Sequence, residues 1–306
     1  MIHEKNSVMP FDVKPLGVRG RIVRLGGVID DIVQRHDYPP AVSALLAEAI
    51  ALTAMLGATL KFEGKFILQT KTDGPVDMVV ADFLSPNGIR GYARFNAARL
   101  AEMHEPTQQQ LLGKGYLAMT VDQGSDMERY QGIVPLDGNT LADAADTYFK
   151  QSEQIPTRLR LAAGPLLARG EKITHWRSGA IMVQHLPSEG GVAFPSGDDP
   201  AGKEAVPEDD NWVKAKLLLD TVEAHELLDP TLTTEELLYR LYHEDGVTVY
   251  PANEIVRHCT CSVEAVETML KSFSAEDRAD MVENGEIKVS CEFCSSEYRF
   301  DPKTLG

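Results

Sequence analysis

Cysteine is scarce in this sequence: 306 residues contain only four, and all of them lie within the last 48 positions. The N-terminus lacks the apolar run of a signal peptide. The longest apolar stretch, residues 41–60, contains Glu48 and several small polar residues, which fits a buried helix better than a membrane span. These absences predict a reducing compartment, in which thiols bind metal or react with oxidants, and they predict no membrane partner.

Positive charge is also in short supply, with 30 Lys and Arg against 46 Asp and Glu and a net charge of −16. Residues 1–197 are nearly balanced in charge. Residues 198–246 hold 14 acidic and 4 basic side chains, and residues 247–306 hold 11 and 6. A surface this negative repels phosphate backbones, so nucleic acid is not expected as the main partner.

The common catalytic motifs are missing as well. His104 and His243 each begin a sequence like the HExxH motif of zinc proteases, but the second histidine is absent in both cases. The GxSxG motif of a nucleophile elbow does not occur. We therefore predict that the protein is not an enzyme. An enzyme domain in residues 1–190 with a structural zinc tail is an alternative that turnover of a substrate would support.

The four cysteines form two close pairs separated by 29 residues, Cys259 and Cys261 as CxC, then Cys291 and Cys294 as CxxC. Two such pairs are typical of a closed tetrahedral zinc site, because each pair supplies two thiolates from one turn and the intervening chain folds back. We predict that these four residues bind one Zn²⁺. The adjacent His258 is expected outside the ligand set, because four thiolates already complete a tetrahedron.

Two other interpretations of the cysteines remain. They could be small buried hydrophobic side chains, although scattered packing would not produce two tight pairs. They could also hold a purely structural zinc ion, as most closed four-thiolate sites do. The CxC pair is unusual for a structural site, and cysteines this close can react with each other, as resolving thiols do in oxidant sensors.

The first 190 residues predict a large α+β domain with antiparallel sheets. A long helix is expected over residues 41–60, because Pro40 suits the first position of a helix. Turn signals separate short runs with strand character, which indicates hairpins. The expected strands cover residues 62–70, 76–84, 89–95, 117–121, 132–136, 159–163 and 180–186.

Residues 191–246 are predicted to form an acidic helical linker, which begins in a segment rich in proline, glycine and acidic residues. Its first helix is expected over residues 212–228, and its second begins at the capping box of Thr233 and Glu236. Both helices carry an apolar stripe that requires a surface to cover it. We therefore expect this linker to be a switch that holds its structure only while docked.

Residues 247–306 are predicted to form a small C-terminal zinc-binding domain. We expect a strand at 247–250, helices over 263–273 and 274–284, and a hairpin that carries the CxxC motif. About sixty residues with few large apolar side chains cannot build much core, so a metal ion is the expected cross-link.

The pattern CxC-x29-CxxC, the segment YRLYHE at 239–244 and the closing segment CEFCSSEYRF at 291–300 resemble the 33-kDa heat-shock protein family. The segments QIPTRL at 154–159 and AEA at 47–49 are similar to that family's N-terminal domain. The resemblance covers nearly the whole chain. It implies a cytoplasmic, redox-regulated holdase chaperone that is inactive while it is reduced and zinc-bound.

The resemblance also implies how such a protein would be activated. Oxidation would release zinc and join neighbouring cysteines as Cys259–Cys261 and Cys291–Cys294. The linker would then unfold, and the chain would form a homodimer that binds unfolding client proteins through apolar surface. A zinc-ribbon-type nucleic-acid-associated factor is the alternative function, which salt-dependent binding of DNA or RNA would support.

Overall fold

The computed structural model describes residues 6–60, 63–124, 129–166, 175–186 and 208–305. The predicted start of the linker at residue 191 falls in 187–207, outside the described residues. The described strands are β1 (Ser7–Val13), β2 (Val18–Leu25), β3 (Lys65–Thr72), β4 (Val76–Leu84), β5 (Gly88–Phe95), β6 (Gly115–Asp122), β7 (Tyr130–Pro135), β8 (Thr157–Leu166), β9 (His175–His185), β10 (Thr248–Val249), β11 (Asn253–Glu254), β12 (Val256–Arg257), β13 (Val282–Glu283), β14 (Glu286–Ser290) and β15 (Glu297–Phe300).

The helices lie between these strands in groups of one to three and are mostly short. They are α1 (Gly27–Val33), α2 (Pro40–Gly57), α3 (Ala97–Ala101), α4 (Gln108–Leu112), α5 (Leu141–Tyr148), α6 (Asp210–Asp220), α7 (Ala224–Leu228), α8 (Thr234–Tyr242), α9 (Val263–Lys271) and α10 (Ala275–Asp280). A π-helical turn, Phe149–Glu153, extends α5.

Three sheets organise the described chain. Sheet A has the order β10-β1-β2-β9-β8, with β11 also paired to β1, and sheet B has the order β12-β5-β4-β3-β6-β7. Sheet C is the small C-terminal sheet β13-β14-β15. The pairs are antiparallel except that β12 runs parallel to β5. The predicted α+β fold with antiparallel sheets is confirmed.

The main core lies around α2, which packs against strands of both sheet A and sheet B. Its apolar residues point in all directions and are nearly all buried. Among the described residues, α2 is the one helix long and apolar enough to cross a membrane, and its burial fits the core of a folded domain.

A second apolar cluster lies on the opposite face of sheet A. Successive residues of the central strands alternate between the two clusters, as the two-residue period of a strand requires: Val23 faces the α2 core and Ile22 faces the second cluster. The helices α6, α7 and α8 complete this cluster. The linker residues buried there are Trp212, Ala215, Leu219, Val222, Leu227, Leu237, Leu238 and Tyr242.

Two predicted helices are shorter than expected. The prediction of a single helix over 212–228 is wrong. Helix α6 ends at Asp220, and a capping box of Glu223 and Glu226 starts α7. The helix expected to reach residue 284 ends at Asp280, and Asn284 and Gly285 instead make a left-handed turn between β13 and β14. Both differences arise where a local cap or turn competes successfully with helix propensity.

The chain between the linker and the cysteines runs along the edges of both large sheets. We call residues 248–258 the edge segment. Val249 pairs with Phe11 and Glu254 with Ser7 on β1, and Val256 pairs with Gly88 on β5. The remaining C-terminal residues pack α9 and sheet C around a small cluster of Leu270, Ile287, Phe300 and Leu305. The proposed domain boundary at residue 247 stays a prediction.

Candidate metal centre

Two loops carry the four cysteines. Cys259 and Cys261 lie between β12 and α9, whose first turn is capped by the Ser262 side chain accepting from the amide of Ala265. Cys291 and Cys294 lie in the turn between β14 and β15. The amide of Cys291 donates to the carbonyl of Ser296, and Ser295 donates back to the carbonyl of Cys291. These bonds close the CxxC turn tightly, with Ser295 in a left-handed conformation.

The structure brings the four sulfur atoms together. Sγ of Cys259 lies 3.3 Å from that of Cys261 and 3.8 Å from that of Cys291, and Cys261 lies 3.3 Å from Cys294. All four ligand atoms lie within 4.8 Å of one another. A tetrahedral ion with bonds of about 2.3 Å to sulfur needs neighbouring sulfurs about 3.8 Å apart. The cluster therefore fits a single metal ion, while the identity of the metal and its ligand set stay predictions.

The four thiols have different electrostatic environments. Burial raises the pKa of Cys291 to about 12 and also raises the pKa of Cys261. Burial acts in the same direction on Cys294, but hydrogen bonds with Ser296, Cys261 and Cys291 together outweigh it and lower the pKa to about 6. Four thiolates at such short range repel one another, so a bound cation is what would allow all four to lose their protons.

Tyr298 adds a further hydrogen bond at the site. Its hydroxyl donates to Sγ of Cys261 at 3.1 Å, and this interaction raises the pKa of Tyr298 to about 12. A hydrogen bond to a ligand sulfur orients that sulfur and spreads its charge. His258, by contrast, is exposed, and its backbone amide donates to the carbonyl of Ile89.

Arg90 connects both cysteine loops to sheet B. Its guanidinium pairs with the buried Asp82 at 2.7 Å and donates to Oγ1 of Thr260 at 2.8 Å. It also lies 3.9 Å from the centre of the Phe293 ring, within cation–π range. Thr260 is the middle residue of the CxC pair and Phe293 lies inside the CxxC pair, so one side chain contacts both loops.

Three aromatic groups of the N-terminal part complete this contact with the loop that carries Phe293. Tyr92 meets the ring of Phe293 edge to face at 4.9 Å. Nε2 of His36 lies 3.3 Å from the carbonyl oxygen of Phe293, and the His36 ring stacks on Tyr38 at 4.8 Å. No sequence pattern predicts the contacts of Tyr92 and His36 with Phe293, because they join residues more than 200 positions apart. The sequence feature that could have indicated this contact is Phe293, an apolar residue in a loop with little core of its own.

The fold and the cysteine cluster define an α+β protein with a C-terminal four-thiol centre that could hold a metal ion and contacts sheet B through Arg90. A family model described as Hsp33 protein matches residues 6–301. The chain therefore belongs to the Hsp33 family, as the sequence motifs predict.

Similar proteins agree with this assignment. The chain is 45% identical over 300 residues to a 33 kDa chaperonin of Caulobacter vibrioides, covering 96% of this chain and 94% of that protein. It is 36% identical over 304 residues to a 33 kDa chaperonin of Proteus mirabilis, covering 99% and 96%. The crystal structure of a 33 kDa chaperonin from Thermotoga maritima has the same fold, with a TM-score of 0.77, 21% identity, and coverage of 98% and 96%.

The family assignment settles the class of activity. The Hsp33 family and its curated relatives are chaperones, so this protein is a chaperone. The prediction that it is not an enzyme is confirmed by the same relationship.

Proposed function

We propose that this chaperone is a holdase that binds unfolding proteins and prevents their aggregation under oxidative stress, and that thiol oxidation with release of zinc activates it. The observation that carries the proposal is the burial of the linker. Helices α6 to α8 cover the apolar outer face of sheet A in a chain whose cysteine loops dock on sheet B. Losing that cover would expose client-binding surface.

Cys259, Cys261, Cys291 and Cys294 would hold the ion, which when bound would be a zinc ion that cross-links the two cysteine loops. Thiolates are both good zinc ligands and the groups that oxidants attack. In each pair, two thiols would lose two protons and two electrons to form a disulfide, and hydrogen peroxide would accept them to give two waters. A disulfide is a poor metal ligand, so the oxidised pairs would no longer retain the ion.

The short loops favour disulfides between neighbours, Cys259–Cys261 and Cys291–Cys294. Closing a loop of a few residues loses less chain entropy than closing one of about thirty residues. Loss of the zinc cross-link would also remove what holds the two pairs together. A module with so small an apolar cluster would then unfold, since zinc binding in small peptides is worth about 10–16 kcal/mol.

The linker is the element that this unfolding would release. The edge segment ties the end of α8 to the cysteine loops, so disorder after residue 258 would remove one end of the linker's attachment. Exposed apolar faces of α6 to α8 and of sheet A would bind clients and support a homodimer of the oxidised chain. We place the protein in the cytoplasm, with no nucleic-acid or membrane partner, as its charge and composition indicate.

One experiment tests the proposal directly. Zinc content and suppression of client aggregation are measured on the reduced protein and again after treatment with peroxide. We expect one zinc per chain and little suppression before oxidation, then zinc loss and strong suppression after it. Equal suppression in both states, or reduced protein without zinc, would contradict the proposal. Salt-dependent binding of DNA or RNA would favour a nucleic-acid-associated factor instead.

A further inference from the structure

We propose that the edge of β5 and the adjoining apolar pocket filled by Ile255 form a binding site for an extended segment of a client polypeptide. The edge segment of this chain occupies the site in the structure described here. The inference rests on the proposed function, because the site opens only when the C-terminal part leaves the sheet.

The edge segment is seated by backbone hydrogen bonds, which any polypeptide can supply. Three amides within residues 255–258 donate to carbonyl groups of the N-terminal part, and β12 runs parallel to β5. The bonds are Ile255 N to Asn6 O at 2.8 Å, Val256 N to Asn87 O at 3.0 Å and His258 N to Ile89 O at 3.0 Å. Such main-chain pairing at a sheet edge is a recurring mode of peptide recognition.

One apolar side chain of the edge segment enters the main core. Ile255 is 1% exposed and belongs to the cluster around α2, whereas Val256 beside it is 40% exposed. The pairing itself is short, with two residue pairs between β12 and β5. Recognition by strand addition combines backbone bonds with pockets for alternate side chains, and Ile255 fills such a pocket.

Charge defines a second feature of the occupant. Two positions after Ile255, Nε of Arg257 lies 3.3 Å from Oδ2 of Asp31 on α1, and the Asp31 side chain is 60% exposed. The site therefore favours an extended segment with an aliphatic residue followed two positions later by a basic residue. Many unfolding chains contain this pattern, which suits a site that receives varied clients.

The acceptor groups are held by the N-terminal part and do not depend on the cysteine loops. The Asn6 side chain accepts from the amides of Gly26 and Val28 at the start of α1, which fixes the carbonyl that Ile255 uses. Ile89 is fully buried in β5. Departure of the edge segment would thus leave a preformed strand edge with unpaired carbonyls beside an open apolar pocket.

A labelled peptide with the sequence of residues 253–258, Asn-Glu-Ile-Val-Arg-His, is the probe. We expect fluorescence anisotropy to show saturable binding to the oxidised full-length protein and none to the reduced protein. A peptide with Ile255→Asp should bind at least about tenfold more weakly, because the pocket is apolar. A peptide with Arg→Glu should also bind weakly, and the protein variant Asp31→Lys should restore its binding.

Two glycine variants provide a matched pair. A Cβ at Gly88 would lie 2.9 Å from Cβ of His258 in the seated strand, whereas a Cβ at Gly27 would meet nothing within 4 Å. We therefore expect Gly88→Ala to weaken peptide binding and Gly27→Ala to leave it unchanged. Excess peptide should also reduce the suppression of client aggregation by the oxidised protein.

The outcomes separate this inference from the proposed function. If oxidised protein suppresses aggregation but binds the Ile and Asp peptides alike, or binds neither, the inference is wrong and the function stands. If the protein suppresses aggregation in neither redox state, the proposed function is wrong. The peptide titration is then carried out on chelator-treated protein. If peptide binding converts an oxidised dimer to monomers, the edge is occupied by a second copy, which overturns the client assignment.

Discussion

Asp146 is a half-buried carboxylate of α5 whose partner, Arg158 of β8, also pairs with Asp220 of α6. Burial outweighs the attraction of Arg158 and raises the pKa of Asp146 from 3.8 to about 6. Because the folded-state pKa lies above the unfolded one, this group stabilises the fold most at pH below about 4. That contribution is lost as the pH rises through about 6.

Asp146→Asn should therefore remove the contribution of this carboxylate to the pH dependence of the free energy of unfolding. We expect the variant to be more stable than the parent at pH 7 by about 1–3 kcal/mol, with the difference vanishing near pH 4, because Arg158 keeps its bond to Asp220. Urea unfolding at several pH values, followed by tryptophan fluorescence, measures this. Asp77→Asn, which removes an exposed carboxylate paired with Arg94, is the control. Parallel pH profiles for parent and Asp146→Asn would contradict the assignment.

Cys294 is the most buried of the four thiols, and its Sγ lies 3.3 Å from Oγ of Ser296. Cys294→Ser should lower zinc affinity by at least about tenfold, because a hydroxyl replaces a thiolate ligand. It should also expose the linker without any oxidant. Competition with a chromogenic chelator gives the affinity. Ser296→Ala, which removes only a hydrogen bond, is the control and should weaken zinc binding less. Equal affinities for the two variants would place Cys294 outside the ligand set.

The elements show which features the sequence could predict and which it could not. Thr233 and Glu236 form the predicted capping box, and α8 begins where that local signal places it. The sequence predicts residues 247–250 as a strand of the C-terminal domain, because nothing local indicates that Val249 pairs with Phe11 of sheet A. The four cysteines could be grouped from spacing alone, while their contact with Arg90 depends on tertiary packing of distant segments.

Arg24 on β2 holds the connection between α7 and α8. Arg24 is 5% exposed, and its guanidinium donates to the carbonyls of Glu226, Asp229 and Leu232 at 2.5 to 2.8 Å. Three backbone acceptors thus depend on one side chain. Its loss would leave them without that donor while they face sheet A.

Arg24→Ala should consequently loosen α6 to α8 while the thiols remain reduced. Leaving these acceptors unsatisfied should destabilise linker docking by at least about 3 kcal/mol. We expect faster proteolysis of residues 210–242 and measurable suppression of client aggregation without oxidant. Arg19→Ala, at an exposed position of the same strand, is the matched control and should behave like the parent. A variant as resistant and inactive as the parent would show that Arg24 does not restrain the linker.

At the scale of the whole molecule, the two large sheets share the α2 core, and residues 208–305 cover surfaces that those sheets leave open. The linker lies on the outer face of sheet A, the edge segment lies on the edges of both sheets, and the cysteine loops contact sheet B through Arg90. The linker, the edge segment and the cysteine loops follow one another along the chain. A change at the cysteine loops can therefore be transmitted to the linker without rearrangement of the α2 core.

Hydrogen exchange on the intact protein tests this order of release. We expect amides of α6 and α8 to be protected in the reduced protein and to lose protection after peroxide, together with those of β12. Amides of α2, β3 and β4 should keep theirs, because their partners all belong to the N-terminal part. Reduction with added zinc should restore the first pattern, which distinguishes release from irreversible damage. If α6 and α8 stay equally protected in both states, the linker is only a tether, and activation must expose a different surface.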